Sequence, residues 1–499
     1  MRSPLAPNRT RGQGGVKIPF PMEIQEICGE NVYLCYQCQK CASGCPVANY
    51  FDLSPNQLMR AIQLDDRKLA LSSKTIWLCA ACETCATRCP QDIDITRVMD
   101  VLKIMARREH IQPGVPSVPM FYSAALHGIR IFGRIYEAGL MGELYLRMLL
   151  SRQLNLGQVI SRDIPVGMKM FRDGKLKLSP QVVRRKKRPT TERVTTTDRR
   201  VAYFPGCSLY GTSAEYHHSF KAVAKKVGLV VDEPEGWVCC GTTPAHSTDH
   251  YLSTLLPMKN LALTEEMGHS AVTAPCPSCY LRMRVALHNI TKDAELRETV
   301  KGQIGYEPSV GLQIEHTLNT FTDRVGLRAV GSRVTRPLKG LKLVCYYGCV
   351  ITRPPKVTGF GEYEYPTNMD RLVKQLGAQP LDWSYRTRCC GASLGFTNLE
   401  IVLDLGRKIL VNARAVGAEA VVVACPLCQV NLDSRQSQMN DHFDLPILYF
   451  TQLTGLAFGL EPKALGLDKH FVDPIPLLRG KGIVPSSNKT KIKRFVRRF

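Results

Sequence analysis

The sequence predicts an α/β plus α chain in which a helical N-terminal unit precedes two copies of one α/β domain. Three observations carry that expectation. Two runs of the form Cys-x2-Cys-x2-Cys-x3-Cys-Pro lie between residues 35 and 90. A second pattern, Cys…Cys-Cys-Gly…Cys-Pro-x-Cys, occurs twice between residues 207 and 428; Cys389 stands 150 positions after Cys239, and Cys425 149 after Cys276. Short apolar strands alternate with helix-period segments through both copies, as expected for parallel strands covered on both faces.

Taken in order, residues 1–21 hold Arg2, Arg9, Arg11 and Lys17 with no acid and no apolar leader core. They are expected to be a disordered basic tail of an unexported, cytoplasmic chain. Residues 22–112 are expected to be a helical unit. Ser54-Pro55 supplies an N-cap and N1 pair for a short helix bearing Leu58, Ile62 and Leu64, and Asp94 opens a second with Ile95, Val98, Met99, Leu102 and Met105 on one face. Pro113, Pro116 and Pro119 open a helical extension over 113–165. Its most apolar part, 121–150, is interrupted by Arg130, Arg134, Glu137 and Glu143 and cannot span a bilayer unaided. A basic linker follows over 166–199, then the two Cys-Cys-Gly domains, 200–339 and 340–478, and a basic tail over 479–499.

The repeats agree in more than their cysteines. Val201 to Cys207 and Leu343 to Cys349 each read as an apolar strand delivering a cysteine just after a glycine, where backbone can approach a cluster closely. Phe220, Val223, Ala224 and Val227 share a helical face that Gly228 ends, as Met369, Leu372, Val373 and Leu376 do before Gly377. Further strands, 270–274 and 420–424, run into Cys-Pro-x-Cys. The cysteines then fall at strand C-terminal ends, where such sheets place their sites. A duplicated module with approximate twofold symmetry would bring both sites to one cleft.

Twenty cysteines in an unexported chain point to metal or redox chemistry in place of disulfides. The first two runs are of bacterial-ferredoxin type: three closely spaced thiolates hold one cube, and the fourth cysteine, before proline, ligates the other. One cubane [4Fe-4S] cluster is assigned to Cys35, Cys38, Cys41 and Cys89, the other to Cys79, Cys82, Cys85 and Cys45. Zinc patterns pair Cys-x2-Cys units without this third cysteine and Cys-Pro. Each repeat offers five thiols, more than a cube needs, so either one is idle or the cluster is unusual. Cys28 lies outside every pattern and is expected to be a buried spare thiol.

Formal net charge is +23, of which residues 1–20, 181–200 and 480–499 carry +4, +6 and +7. The remaining body is near neutral once cluster thiolates are counted. Basic segments of this composition are expected to be solubilising tails, with an acidic partner or anionic lipid as the alternative. No base-reading module is present, and no nucleic acid is expected.

Tyr203-Phe-Pro-Gly-Cys207, Cys239-Cys-Gly241, Pro275-Cys-Pro-Ser-Cys279, Tyr346-Tyr-Gly-Cys349 with Arg353-Pro-Pro355, and Cys389-Cys-Gly-Ala-Ser393 resemble the catalytic B-type component of heterodisulfide reductase. Residues 22 to about 165, with Trp77-Leu-Cys-Ala-Ala-Cys-Glu-Thr-Cys85, resemble that enzyme's C-type component. The resemblance implies a noncubane [4Fe-4S] cluster in each repeat, held by five cysteines. These are Cys207, Cys239, Cys240, Cys276 and Cys279 in the first, and Cys349, Cys389, Cys390, Cys425 and Cys428 in the second. Cys345 is then spare, because Cys349 after Gly348 aligns with Cys207 after Gly206.

The activity implied is that of an oxidoreductase acting on sulfur groups, which reduces a disulfide or runs in reverse on thiols; the family's reference substrate is the coenzyme M–coenzyme B disulfide. The alternative is a non-catalytic relay delivering electrons to a quinone. His217, His218 and His246 are acid candidates, each better read as structural. No nucleotide-binding Gly-x-Gly-x-x-Gly and no haem-attachment motif occur, so electrons are expected from another protein of the same complex. The resemblance implies a flavin-containing A-type subunit or a membrane cytochrome b, with association at the inner face of a membrane through such a partner.

Overall fold

Runs such as Ala271–Ala274 and Ala420–Val423 are apolar or small at every position and become buried throughout, which suits central strands of a parallel sheet. The computed structural model describes residues 18–183, 199–307, 309–439 and 441–485. In the first repeat β1 (Arg200–Tyr203), β2 (Val230–Asp232), β3 (Ala271–Ala274) and β4 (Gln313–His316) form one sheet in the order β2-β1-β3-β4. In the second, β5 (Lys342–Tyr346), β6 (Gln379–Pro380), β7 (Ala420–Val423) and β8 (Ile447–Tyr449) form the order β6-β5-β7-β8. All pairings are parallel, with Ala202 opposite Val272 and Leu343 opposite Ala420.

The helices after β1 and β5, Ala214–Lys226 and Asn368–Gln375, stop just before Gly228 (φ 71°) and Gly377 (φ 87°), whose left-handed backbone ends each helix without a side-chain clash. One apolar core runs through both repeats, and a second lies within the first repeat alone. Tyr216 stacks on Tyr449 at 4.2 Å, and Phe321 packs edge-on against both Phe220 and Phe450 at 5.9 Å.

The N-terminal unit is helical. Ser54 and Gln57 form the capping box of helix Pro55–Gln63, and Asp94 accepts from Arg97 N at 2.9 Å to start Ile95–Arg108. Asp52 accepts from Ser73 Oγ (2.6 Å), Lys74 N (2.9 Å) and Thr75 Oγ1 (2.8 Å), fixing the turn that leads into Cys79. Burial would raise the Asp52 carboxyl, but these donors outweigh it and hold the group at about 2. Helices Ser117–Phe132 and Glu137–Leu150 form the extension and are joined by Glu143, which meets His127 of the first helix and is backed by Arg147 on its own. Among the described residues no helix is long and apolar enough to cross a membrane.

Three boundaries differ from expectation. The first helix, Phe20–Cys28, starts inside the stretch assigned to the N-terminal tail, because Phe20 is buried beneath the Arg67 guanidinium and its N–H donates to Asp65. Helix Ile164–Arg172 occupies the start of the expected linker, held by Lys169 Nζ donating to Phe471 O at 2.9 Å. Lys175 then forms a fully buried ion pair with Glu215 at 2.7 Å. At the other end Ile483 and Val484 are buried inside the expected C-terminal tail. Charge composition dominates those three stretches of sequence and hides a few anchoring side chains. Leu64, expected on a helix face, caps that helix and is exposed. Residues 1–17, 184–198 and 486–499, to which the remaining tail and linker expectations apply, lie outside the described residues.

Phe321→Ala should cost about 3–5 kcal/mol, because the cavity opens where the repeats meet, whereas Phe171→Ala at an exposed site should stay within about 0.5 kcal/mol. Thermal unfolding of the two variants checks this.

Candidate metal centres

In both ferredoxin-type runs the chain bends at the same two places. Gln37 and Gln39 (φ 63° and 65°) in the first run, and Ala81 and Glu83 (φ 50° and 60°) in the second, all take left-handed backbone. For side-chain-bearing residues each such position costs on the order of 1 kcal/mol or more. The repetition bends each run so that its three closely spaced thiols neighbour one another. Helices Lys40–Gly44 and Thr84–Arg88 pack side by side and deliver Cys45 and Cys89 at their C-terminal ends. Cys89 consequently joins Cys35, Cys38 and Cys41 around one small surface cavity. Cys45 faces the charges of Cys82 and Cys79, and Cys85 faces those of Cys79, Cys82 and Cys45. Burial raises the Cys45 and Cys85 thiols, and brings Cys79 to about 11 against the nearby Lys103 ammonium.

In each repeat the β1- or β5-linked turn passes through a glycine that only a missing side chain permits. A Cβ at Gly206 (φ 73°) would lie 3.0 Å from Cys279 Sγ, and one at Gly348 (φ 76°) 3.1 Å from Cys428 Sγ. The first repeat's thiols form one chain of contacts: Cys207 with Cys239, Cys239 with Cys240, Cys240 with Cys279 at 3.4 Å, and Cys279 with Cys276. The second repeats much of it: Cys349 meets Cys389, Cys390 lies 3.6 Å from Cys428, and Cys428 meets Cys425. Gly241 N donates to Cys239 Sγ at 3.4 Å and Gly391 N to Cys389 Sγ at 3.3 Å. The Cys240 thiol is lowered by its hydrogen bonds to Cys239 and Cys279, while those two are raised. Such pre-gathered thiols suit a site that takes them up as thiolates.

The glycine cradles and the crowded thiols fit an iron–sulfur group in each repeat, and the curled runs fit one in each half of the N-terminal unit. Among the described residues no three His, Cys, Asp or Glu side chains converge on a single ion; a multi-iron cluster instead receives its thiolates at separate irons.

The thiol sets also adjoin one another. Cys82 and Cys389 lie beside each other, an interaction that lowers Cys82 to about 6, with Arg353 as a further cause. An apolar layer of Val47, Leu78, Leu394, Ile401 and Leu405 surrounds that contact. Tyr50 Oη donates to Asp404 at 2.8 Å, Ser393 Oγ to Ala80 O at 3.1 Å, and Arg353 Nη1 to Thr84 Oγ1 at 3.1 Å, so the N-terminal unit is locked to the second repeat. The two repeats share a wall: Tyr216 Oη donates to Ala424 O at 3.2 Å across them, and His316, whose Nε2 donates to Pro275 O at 3.0 Å within its own repeat, also faces the Ala424 backbone. Those carbonyls immediately precede Cys276 and Cys425, whose charges act on each other.

Several of these residues carry roles that the sequence alone does not reveal. Lys103 and Arg353 are buried cations beside Cys79 and Cys82, and Arg282 acts on Cys240. Arg353 carries a signal in Arg353-Pro-Pro355; Lys103 and His316 carry none, since a helical lysine and a strand-end histidine are ordinary. Burial brings His316 down to about 4, so it is neutral, with Nδ1 accepting from Leu318 N. Of the histidines singled out, His217 pairs with Tyr203 and His246 with Asp100, and neither is bonded to a cysteine. Cys28 lies buried with Sγ on Ile24 O, and Cys345 is buried in β5 beside Asp370, apart from the other thiols.

The cysteine-rich domain family matches residues 201–284 and 343–433, and the 4Fe-4S dicluster domain matches 34–94. The chain is 32% identical over 283 residues, 55% of its length and 98% of the relative's, to the membrane anchor component of the 8-methylmenaquinol:fumarate reductase of Wolinella succinogenes. It is 28% identical, over 56% of its length and 96% of the relative's, to the B-type component of the ferredoxin/F420H2-dependent CoB-CoM heterodisulfide reductase of Methanosarcina acetivorans. It is 23% identical to the B-type component of the fumarate reductase (CoM/CoB) of Methanothermobacter marburgensis, over 52% of its length and 47% of the relative's.

Purified without oxygen, the chain should carry about 16 iron and 16 sulfide, four of each per cluster. Cys349→Ala should lose about four iron, and Cys345→Ala none. Iron analysis of the two variants checks this; equal losses would make both residues ligands.

Proposed function

The chain belongs to the cysteine-rich domain family of iron–sulfur proteins, and from that premise we propose that it is the electron-carrying and disulfide-cleaving core of a reductase complex. The substrate is a disulfide, taken to two thiols with two electrons and two protons; thiol oxidation is the same reaction reversed. The observation that carries this reading is the continuity of the thiol sets. Cys82 adjoins Cys389, and Cys276 and Cys425 share the wall made by His316 and Tyr216.

On this reading Cys35, Cys38, Cys41 and Cys89 hold a cubane near the surface, where Cys38 is exposed to a donor. Cys79, Cys82, Cys85 and Cys45 hold a second one, none of whose cysteines is exposed. Cys207, Cys239, Cys240, Cys276 and Cys279, and Cys349, Cys389, Cys390, Cys425 and Cys428, hold two noncubane clusters. Bound there, the clusters supply one-electron steps, which a two-electron cleavage needs in pairs. The protein's own residues set the path. The apolar layer around Cys82 and Cys389 excludes water, Arg353 and Lys103 offset thiolate charge, and His316 and Tyr216 hold the two cysteine-bearing strand ends at a fixed separation. The electron source is a flavin-containing partner or a membrane cytochrome b.

One observation favours a second reading. A relative matched along 98% of its own length is named as the membrane anchor of a methylmenaquinol:fumarate reductase, which suits a relay exchanging electrons with a quinone.

A disulfide should rapidly oxidise the dye-reduced protein, and Cys389→Ser or Cys239→Ser should abolish that turnover while leaving the ferredoxin-type signals reducible. Reoxidation by a quinone analogue alone, with disulfides inert, would select the relay. Parent-rate disulfide reduction in either variant would remove the repeats from the chemistry.

A further inference from the structure

Eleven of the twenty-two large exposed apolar side chains among the described residues fall between positions 131 and 182. They form two stripes. On helix Glu137–Leu150, Leu146, Leu149 and Leu150 recur at i, i+3 and i+4, and Leu150 is 77% exposed. From Leu156 to Arg172 the helical chain carries Leu156, Ile160, Ile164, Met168 and Phe171 at spacings of three or four, hence along one face, and all five are exposed.

These helices are already docked, so the stripes are not a core awaiting the rest of the fold. Tyr145 Oη donates to Asp163 at 2.8 Å, Lys169 Nζ to Phe471 O at 2.9 Å, and Gln438 Nε2 to Arg162 O at 2.9 Å. The apolar faces remain outward after those bonds are made.

The charge around them is mainly basic. Residues 130–183 contain nine Lys and Arg against four Asp and Glu, and the sequence continues into Arg184, Arg185, Lys186, Lys187 and Arg188 beyond the described residues. Of the four acids, Glu143 is held by His127 and Arg147, Asp163 by Tyr145, and Glu137 by Thr212. Arg152 and Arg172 are exposed beside the stripes; Arg172 also meets the fourth acid, Asp173, at 3.5 Å, and Arg162 meets Glu400 at 3.9 Å, both pairs open to solvent on the arginine side.

We propose that this face, residues 146–178, seats directly on an anionic phospholipid surface, the Leu, Ile and Met side chains entering the headgroup–acyl boundary and Arg152, Arg162 and Arg172 meeting lipid phosphates. An aliphatic stripe flanked by basic residues is the composition of an interfacial helix. A protein partner would be expected to use aromatic anchors in pockets, and Phe171 is the one aromatic residue among the eleven exposed positions.

The test is co-sedimentation of the full-length cluster-loaded protein with phosphatidylcholine vesicles, with and without about one third phosphatidylglycerol, at about 0.05 and 0.5 M salt. The parent should bind the phosphatidylglycerol vesicles at least about tenfold more tightly than the neutral ones at low salt, and less tightly at high salt. Two variants keep the outcome readable, both expected to retain parental iron content: Leu149→Ser with Leu150→Ser and Ile160→Ser, and Arg152→Glu with Arg172→Glu. Each should weaken binding by about tenfold or more. Absence of parent binding to the anionic vesicles, binding unchanged in both variants, or a stable dimer that hides the face would overturn the proposal.

Discussion

Thiols can surround a compact cluster only if the backbone turns sharply between them, and that constraint shapes the whole chain. Gln37, Gln39, Ala81 and Glu83 accept left-handed backbone at matching positions in the two runs, and Gly206 and Gly348 open the approach to Cys279 and Cys428. Such conformations persist only where their surroundings over-determine them. The paired helices Lys40–Gly44 and Thr84–Arg88 do so in the N-terminal unit. In the repeats the work falls to fully buried strands, whose ends fix where each cysteine emerges.

Much of this is legible in the sequence because it rests on local periodicity. Alternating apolar strands and helices indicate the parallel sheets, and the glycine before Cys207 and Cys349 marks the turn at the site. The Cys-Pro spacing gives the exchange of Cys45 and Cys89 between the two halves as an expectation; in the structure Cys89 lines one cavity with Cys35, Cys38 and Cys41, and Cys45 lies near Cys82, Cys79 and Cys41. What is not legible depends on long-range contact. Neither Phe20 beneath Arg67 nor Lys175 against Glu215 has a local signature, so charge composition assigns both to tail and linker. His316 and Tyr216 acquire meaning only when β3 and β7 are brought end to end.

Burial of so many thiols raises an electrostatic problem that the body of the protein answers with a few cations. Thiolates in a dry interior require compensating charge. Lys103 beside Cys79, Arg353 beside Cys82 and Arg282 near Cys240 lie where the thiol sets adjoin. Arg353 also donates to Thr84, Thr387 and Glu364, so the group that offsets charge is the one that locks the N-terminal unit to the second repeat. Arrangement and electrostatics are thus coupled at one side chain.

The most direct measurement of the central claim, a continuous path from the ferredoxin-type unit into the second repeat through Cys82 and Cys389, is electron paramagnetic resonance of the reduced protein. Adjacent centres should show spin–spin splitting or accelerated relaxation between the Cys82-containing site and the second-repeat site, lost in Cys389→Ser while the other signals survive. Spectra that equal the sum of isolated centres in the parent, and do not change in that variant, would contradict it.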